Sequence, residues 1–342
     1  MEDPDECAIP MEPVIREKSR TVPIVNLEER GKNLLKIAQN SDHDQANNLK
    51  DLNEELKGLL PEEMTRLWQT RDENENTILH CAAKSGNLTI CQLIVSAGAD
   101  INATGQNGMK VLPFAARYGE EKRAKEVWDC MSWIATQIST KGAAENFNLG
   151  KSSSRRIAKQ SSKVLPKEEV VFNVREKDQY NFTILHHAIQ NTNWVSNPDV
   201  VEKLISTGNF PITESDNQGN TCLHLAAQLD KRKDDKILDT FFANENIPVK
   251  DISACIKRTN DRGMTPLHIA CQVGNQDSLR ELLLFCQKNS IMVEEILHLP
   301  DKKGSTPLCH AIKCKNVEMV NSLLQKGAIV TKESLLTAAR RV

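Results

Sequence analysis

One six-residue phrase, Thr-x-Leu-His-x-Ala, constrains this chain more than any other feature. It occurs as Thr77-Ile78-Leu79-His80-Cys81-Ala82, Thr183-Ile184-Leu185-His186-His187-Ala188, Thr221-Cys222-Leu223-His224-Leu225-Ala226 and Thr265-Pro266-Leu267-His268-Ile269-Ala270. A further copy, Thr306-Pro307-Leu308-Cys309-His310-Ala311, has cysteine in the histidine slot, and a degenerate one runs from Lys110 to Ala115. Self-similarity on this scale marks a supersecondary unit that cannot bury its apolar face alone and must stack on its neighbours.

The chemistry of each slot predicts local structure. Threonine ahead of an apolar helical run is an N-cap whose oxygen accepts an otherwise orphaned backbone N–H. Proline beside it, as Pro266 and Pro307, suits the first helical position, where no N–H partner is needed. The leucine and alanine slots share one helix face. Glycines then punctuate the pattern: Gly86, Gly119 and Gly274 end a first short helix, and Gly98, Gly208 and Gly327 end a second apolar run. The links between units, such as Ser215 to Asn220, Asp261 to Gly263 and Asp301 to Gly304, have turn composition.

With these residues in place, the sequence resembles the ankyrin-repeat family, whose signature is Thr-Pro-Leu-His-x-Ala in units of about 33 residues. The resemblance covers residues 71–342, or from about residue 30 if a degenerate first unit is counted. It implies an all-α solenoid of helix-turn-helix units with short β-hairpin fingers. It also implies that the slot histidine ties neighbouring units together by hydrogen bonding, and that a concave face recognises other proteins. A second, narrower resemblance rests on Gly263-Met264-Thr265-Pro266-Leu267-His268-Ile269-Ala270. That phrase is similar to a repeat of the ankyrin-type transient receptor potential cation channels, which carry long, irregular cytosolic stacks.

The copies are unevenly spaced. Their starts at 77, 110, 183, 221, 265 and 306 leave one interval of 73 residues, and the excess falls on a stretch poor in large apolar residues. The expected organisation is a disordered acidic tail (1–26), a helical cap or degenerate repeat (27–70), repeats one and two (71–138), a flexible Lys/Ser-rich insertion (139–172) and repeats three to six (173–342). The longer later spacings predict enlarged helices or fingers, with 191–198 one place for them. Beyond the sixth repeat, Ser334 to Ala339 reads as the opening helix of another unit, so the chain ends in a minimal cap or is a fragment.

Composition narrows the function. A formal net charge of −2 argues against the whole chain binding nucleic acid. No run of about 18 apolar residues exists to span a bilayer. The acidic start lacks the basic and apolar regions of a secretory signal, so the ten cysteines are expected as reduced thiols in the cytoplasm. No phosphate-binding glycine loop, nucleophile elbow or His-Glu-x-x-His motif is present. The slot histidines would lie about 10 Å apart in a stack, too far to share one metal ion. Cys309, His310 and Cys314 are a local ligand cluster without a fourth partner, which points to core packing; Cys309, Cys314 and Cys271 are the thiols to label first for redox sensitivity. No catalytic residue, metal or cofactor is expected. Lys151 to Lys167 carries basic residues among serines and reads as a solvated loop, with nuclear import, anionic lipid or a phosphorylation switch as alternatives.

Function then belongs to positions that differ between copies. The finger residues expected to face a partner are Asn74, Glu75, Gln106, Asn107, Gln179, Tyr180, Phe182, Asn217, Gln218, Arg262, Lys302 and Lys303, with Tyr180 and Phe182 paired as an aromatic contact. The expected structural positions are Thr77, His80, Thr183, His186, Thr221, His224, Thr265, Pro266, His268, Thr306 and Pro307. The sequence therefore reads as a non-catalytic interaction scaffold whose partner is another protein or its own downstream domains. Its alternatives are the cytosolic N-terminal stack of a cation channel and a regulatory stack fused to an enzyme.

Overall fold

A computed structural model of the chain describes residues 24–39, 45–146, 177–191, 199–207, 212–229 and 237–339. The acidic tail before residue 24, the basic Ser-rich segment and residues 192–198 lie outside them.

Each copy of the phrase opens a short inner helix, followed by an antiparallel outer helix. The pairs are α4 (Ile78–Lys84) with α5 (Leu88–Ser96), α6 (Val111–Tyr118) with α7 (Ala124–Asn146), and α8 (Ile184–Gln190) with α9 (Asp199–Ser206). They continue as α10 (Cys222–Gln228) with α11 (Ile237–Ala243), α13 (Pro266–Val273) with α14 (Gln276–Lys288), and α16 (Pro307–Lys313) with α17 (Val317–Gln325). Inner helices pack on inner helices and outer on outer along the whole row. The core is the layer between them, built of small and aliphatic side chains such as Ala82, Ile94, Ala115, Leu223, Ala270, Leu282 and Ala311. This is the all-α solenoid that the repeated phrase implies.

Two spacings have a cause that the sequence left open. Short helices α12 (Val249–Lys257) and α15 (Val293–Leu297) intervene between an outer helix and the next unit, so the units grow by an added helix. The expected boundary at 138 needs correction, because α7 runs unbroken to Asn146. Ala143, Ala144 and Glu145 are strong helix formers, and the lone Gly142 does not interrupt them.

Ahead of the first pair stand α1 (Ile24–Gln39), α2 (Gln45–Leu56) and α3 (Pro61–Trp68). Helix α1 packs on α4 as an inner helix would, burying Leu34, Leu35 and Ala38, while α2 lies against α5. Two polar bonds fasten this group: Ser85 Oγ donates to the Ala38 carbonyl at 2.8 Å, and Trp68 Nε1 to the Ala97 carbonyl at 3.0 Å. At the other end α18 (Lys332–Ala339) takes the inner position against α16.

Candidate interaction surface

The slot histidine is a device for joining units. In the first unit the Thr77 N–H donates to His80 Nδ1 at 3.4 Å, and the Thr77 hydroxyl lies 2.7 Å from the same nitrogen. Thr77 Oγ1 in turn accepts the His80 backbone N–H, so threonine and histidine cap the helix reciprocally. A backbone N–H can only donate, so Nδ1 is the acceptor and the ring proton sits on Nε2. That proton is given to the next unit: His80 Nε2 lies 3.1 Å from the Met109 carbonyl, and His224 Nε2 2.9 Å from that of Met264. His268 does the same to Leu299 at 3.0 Å. The expected tie between units therefore holds at three histidines. His186 departs, since its Nε2 faces the Asn220 carbonyl without reaching hydrogen-bond geometry. Burial pushes all four rings down to about 4, so they are neutral near pH 7.

The threonine caps are less uniform. Thr183 and Thr265 accept their histidine's backbone N–H as Thr77 does. Thr221 stays within 2.9 Å of His224 Nδ1, but Thr306, lacking the histidine, points its hydroxyl at Cys309 Sγ.

Five of the six fingers are closed by one side chain at the base. Asp72 Oδ1 accepts the N–H of Asn74 at 2.9 Å and of Asn76 at 2.8 Å. Asp178 does so for Tyr180 and Phe182, Asp216 for Gln218 and Asn220, Asn260 for Arg262 and Met264, and Asp301 for Lys303 and Ser305. In the second unit Gly105 stands at this place, because a Cβ there would come within 2.9 Å of His80 Nε2. The three residues after the base form the tip, and the third is left-handed throughout: Glu75, Gly108, Asn181, Gly219, Gly263 and Gly304. Single antiparallel bridges, Arg71 with Thr77, Thr104 with Lys110 and Ser215 with Thr221, are the hairpin character of the fingers.

This rule sorts the expected contact residues. Asn74, Glu75, Asn107, Gln179, Asn217, Gln218, Arg262, Lys302 and Lys303 are exposed tip residues, and Tyr180 is 45 % exposed. Gln106 is half-buried, its N–H held by Asn76 Oδ1 at 3.0 Å. Phe182 is corrected. It occupies the fourth place after the base, where Asn76, Met109, Asn220, Met264 and Ser305 are all buried, and it packs 5.3 Å from the His187 ring and 5.8 Å from that of His186. No aromatic pair is presented; Tyr180 stands without it. Counting from the base adds Glu73, Asn181 and Asp261, exposed tip residues that composition alone did not mark.

From the third finger to the sixth, successive tips are joined. The Asn217 N–H donates to the Tyr180 carbonyl at 3.0 Å, Asp261 N–H to Gln218 at 2.9 Å and Lys302 N–H to Arg262 at 3.0 Å. At the start of the row Arg71 Nη1 donates to the carbonyls of Glu75 at 2.6 Å and Thr104 at 2.5 Å. The third to sixth tips are therefore held in rank by direct bonds, and the first finger is tied to the second unit through Arg71.

Beneath the tips lie two buried His–Asp contacts, His187 Nε2 to Asp178 Oδ2 at 3.0 Å and His310 Nε2 to Asp301 Oδ2 at 2.9 Å. Burial lowers the His310 pKa more than Asp301 raises it, so a neutral ring donates to the carboxylate. Burial works to raise Asp301, but bonds from the Ser305 N–H, His310 and the Lys303 N–H outweigh it and hold the carboxyl low. Among the described residues no three His, Cys, Asp or Glu side chains converge to hold a metal ion. Of the thiols marked for labelling only Cys314 is exposed, while Cys271 and Cys309 are buried. No described helix is long and apolar enough to cross a membrane.

The molecule is thus a stacked helix-pair solenoid with a rigid row of fingers. Residues 34–129 and 236–334 match the family described as ankyrin repeats (3 copies), and the chain belongs to that family. It is 30 % identical over 162 residues to the mouse B-cell lymphoma 3 protein homolog, covering 46 % of this chain and 32 % of that protein. A putative ankyrin repeat protein of fowlpox virus is 32 % identical over 161 residues, covering 47 % of this chain and 42 % of its own length. Transient receptor potential cation channel subfamily A member 1 of Drosophila melanogaster is 25 % identical over 122 residues, covering 36 % of this chain and 9 % of the channel. The chain thus spans less than half the length of these relatives.

Proposed function

We propose that the chain is a non-catalytic protein-interaction module that binds a partner across its finger tips. One observation carries this reading. The residues that repeat are consumed by the scaffold, as caps, unit ties and finger bases, while most tip residues that vary are exposed and, from the third finger to the sixth, held in register by tip-to-tip hydrogen bonds. A rigid, pre-ordered strip loses little conformational entropy on binding, which favours recognition of a partner's surface. Repeat scaffolds use their extended faces in this way. The test is photo-crosslinking from a reactive amino acid placed at Tyr180 and, as a control, at exposed Asp129 on the outer helix α7. A partner trapped from Tyr180 and not from Asp129 supports the reading; equal trapping from both sites removes it.

The channel alternative draws on the match of about a third of the chain to the Drosophila protein. A longer transcript in which six apolar spans follow would establish it, and the finger tips would then face the channel's own cytosolic parts or an accessory protein.

A further inference from the structure

The tips are not alike in charge, and their order is regular. The first carries Glu73 and Glu75, the second to fourth carry only amides, glycines and Tyr180, the fifth has Asp261 beside Arg262, and the sixth carries Lys302 and Lys303. The formal charge therefore runs from two negative at one end of the row, through an uncharged middle, to two positive at the other. In the first unit the exposed Arg71, held on the carbonyls of Glu75 and Thr104 at the foot of the finger, keeps its charge and is offset in formal charge by the neighbouring base residue Asp72, so the two tip glutamates set the sign there. At the far end the cations are reinforced. Arg262 and Lys302 are direct neighbours, joined through their backbones at 3.0 Å, and Lys313 lies close below, its Nζ bonded to Ser305 Oγ at 2.9 Å.

We propose that the finger row is an electrostatically polar docking strip for an extended protein segment of opposite polarity. The acidic end of that segment lies over Arg262, Lys302 and Lys303, an uncharged stretch over the tips around Tyr180, and a basic end over Glu73 and Glu75. The inference rests on the interaction-module reading and adds the chemistry of the partner. Units about 10 Å apart put the end tips about 50 Å from each other, the reach of roughly fifteen extended residues. A uniformly anionic surface, such as a lipid headgroup layer or a nucleic acid, would gain the lysines but meet Glu73 and Glu75 when laid along the same row. Only a partner carrying both signs satisfies both ends, and complementary fields of this kind set orientation and encounter rate.

The test uses the full chain and a labelled peptide with a glutamate block at one end, a lysine block at the other and an uncharged Ser/Tyr/Gly centre, made in both chain directions. A peptide of the same composition with alternating charges is the control. At low salt the better block peptide binds about tenfold more tightly than the control, and the advantage fades as screening rises. K302E/K303E weakens the block peptide about tenfold, because attraction at that end becomes repulsion. The fourfold variant E73K/E75K/K302E/K303E, whose polarity is inverted, recovers binding to the block peptide of the other chain direction. These side chains are exposed and the joining bonds are backbone, so unchanged melting of each variant confirms that the strip persists. The proposal is overturned if block and alternating peptides bind alike, if the fourfold variant stays weak toward both directions, or if phosphatidylserine vesicles or single-stranded RNA displace the block peptide at equal charge. A partner trapped from position 180, and not from Asp129, whose trapping is indifferent to both charge variants would leave the module reading standing and remove this one.

Discussion

The two ends of the stack are built from the same repeat yet meet solvent differently. At the N-terminal end α1 to α3 cover the first unit, and Leu34, Leu52 and Leu67 are buried there. At the C-terminal end Val317, Leu324, Ile329, Val330, Leu335 and Leu336 are large exposed apolar side chains. The outer helices give a residue-by-residue comparison, because Asn275 and Asn316 are equivalent N-caps. Counting from them, Leu283 corresponds to Leu324. Leu283 is 4 % exposed and Leu324 is 40 % exposed. Burial in a stack is thus conferred by the next unit; the repeat's own sequence supplies only the apolar residue.

Acid gives the largest expected effect. The folded pKa of about 4 for His80, His186, His224 and His268 lies below the unfolded value of about 6.5. The unfolded chain therefore binds more protons below pH 6.5, and stability falls as pH drops from there toward 4. By pH 5 each slot histidine removes about 2 kcal/mol, read as a falling denaturant midpoint. The second unit has Pro113 in this slot and no histidine in α6, so hydrogen exchange at pH 5 should open the units with a slot histidine more than α6. Uniform opening would break the comparison.

Next come paired leucine truncations. Leu34→Ala at the covered end removes a buried side chain and costs about 3 kcal/mol. Leu324→Ala at the open end costs less than about 1 kcal/mol. Equal losses in urea titrations would show that the ends do not differ energetically. A finer contrast uses glycines with the same left-handed backbone. Gly263 has φ 75° and a Cβ there would lie 2.7 Å from the Lys302 nitrogen, whereas Gly304 has φ 76° with nothing within 4 Å. Gly304→Ala carries only backbone strain, about 1 kcal/mol, and Gly263→Ala should exceed it by at least about as much again. Tyr180→Ala is the smallest change, within about 0.5 kcal/mol in stability, while it weakens capture of the crosslinked partner once that partner is identified.

The fold was legible because each slot has a local mechanism: threonine caps, histidine bonds across and glycine turns. The exposed tips were legible for the same reason, since turn composition flags a finger. What escaped was geometry set between units. Three of the tip-to-tip bonds use backbone groups that no side-chain pattern announces, and Asn217 adds a side-chain bond to the Gln179 carbonyl. Phe182 was misplaced because polarity, unlike the count from Asp178, does not tell a tip from the position that turns inward. The helices α12 and α15 showed in the sequence only as extra length, and α1 to α3 lack the repeated phrase although they do the work of a unit.

The base side chain that closes most of the fingers has a consequence for how such a surface can change. Asp178, Asp216 and Asp301 close their turns through backbone N–H groups, so the closure of the finger does not depend on the side chains at the first two tip places. In the fourth finger those side chains add bonds of their own, Asn217 Nδ2 donating to the Gln179 carbonyl at 3.1 Å and Gln218 Oε1 accepting from Asn220 Nδ2 at 3.5 Å, while places such as Lys302 and Lys303 can be rewritten at little expense to folding. Recognition can drift here while the architecture stays still.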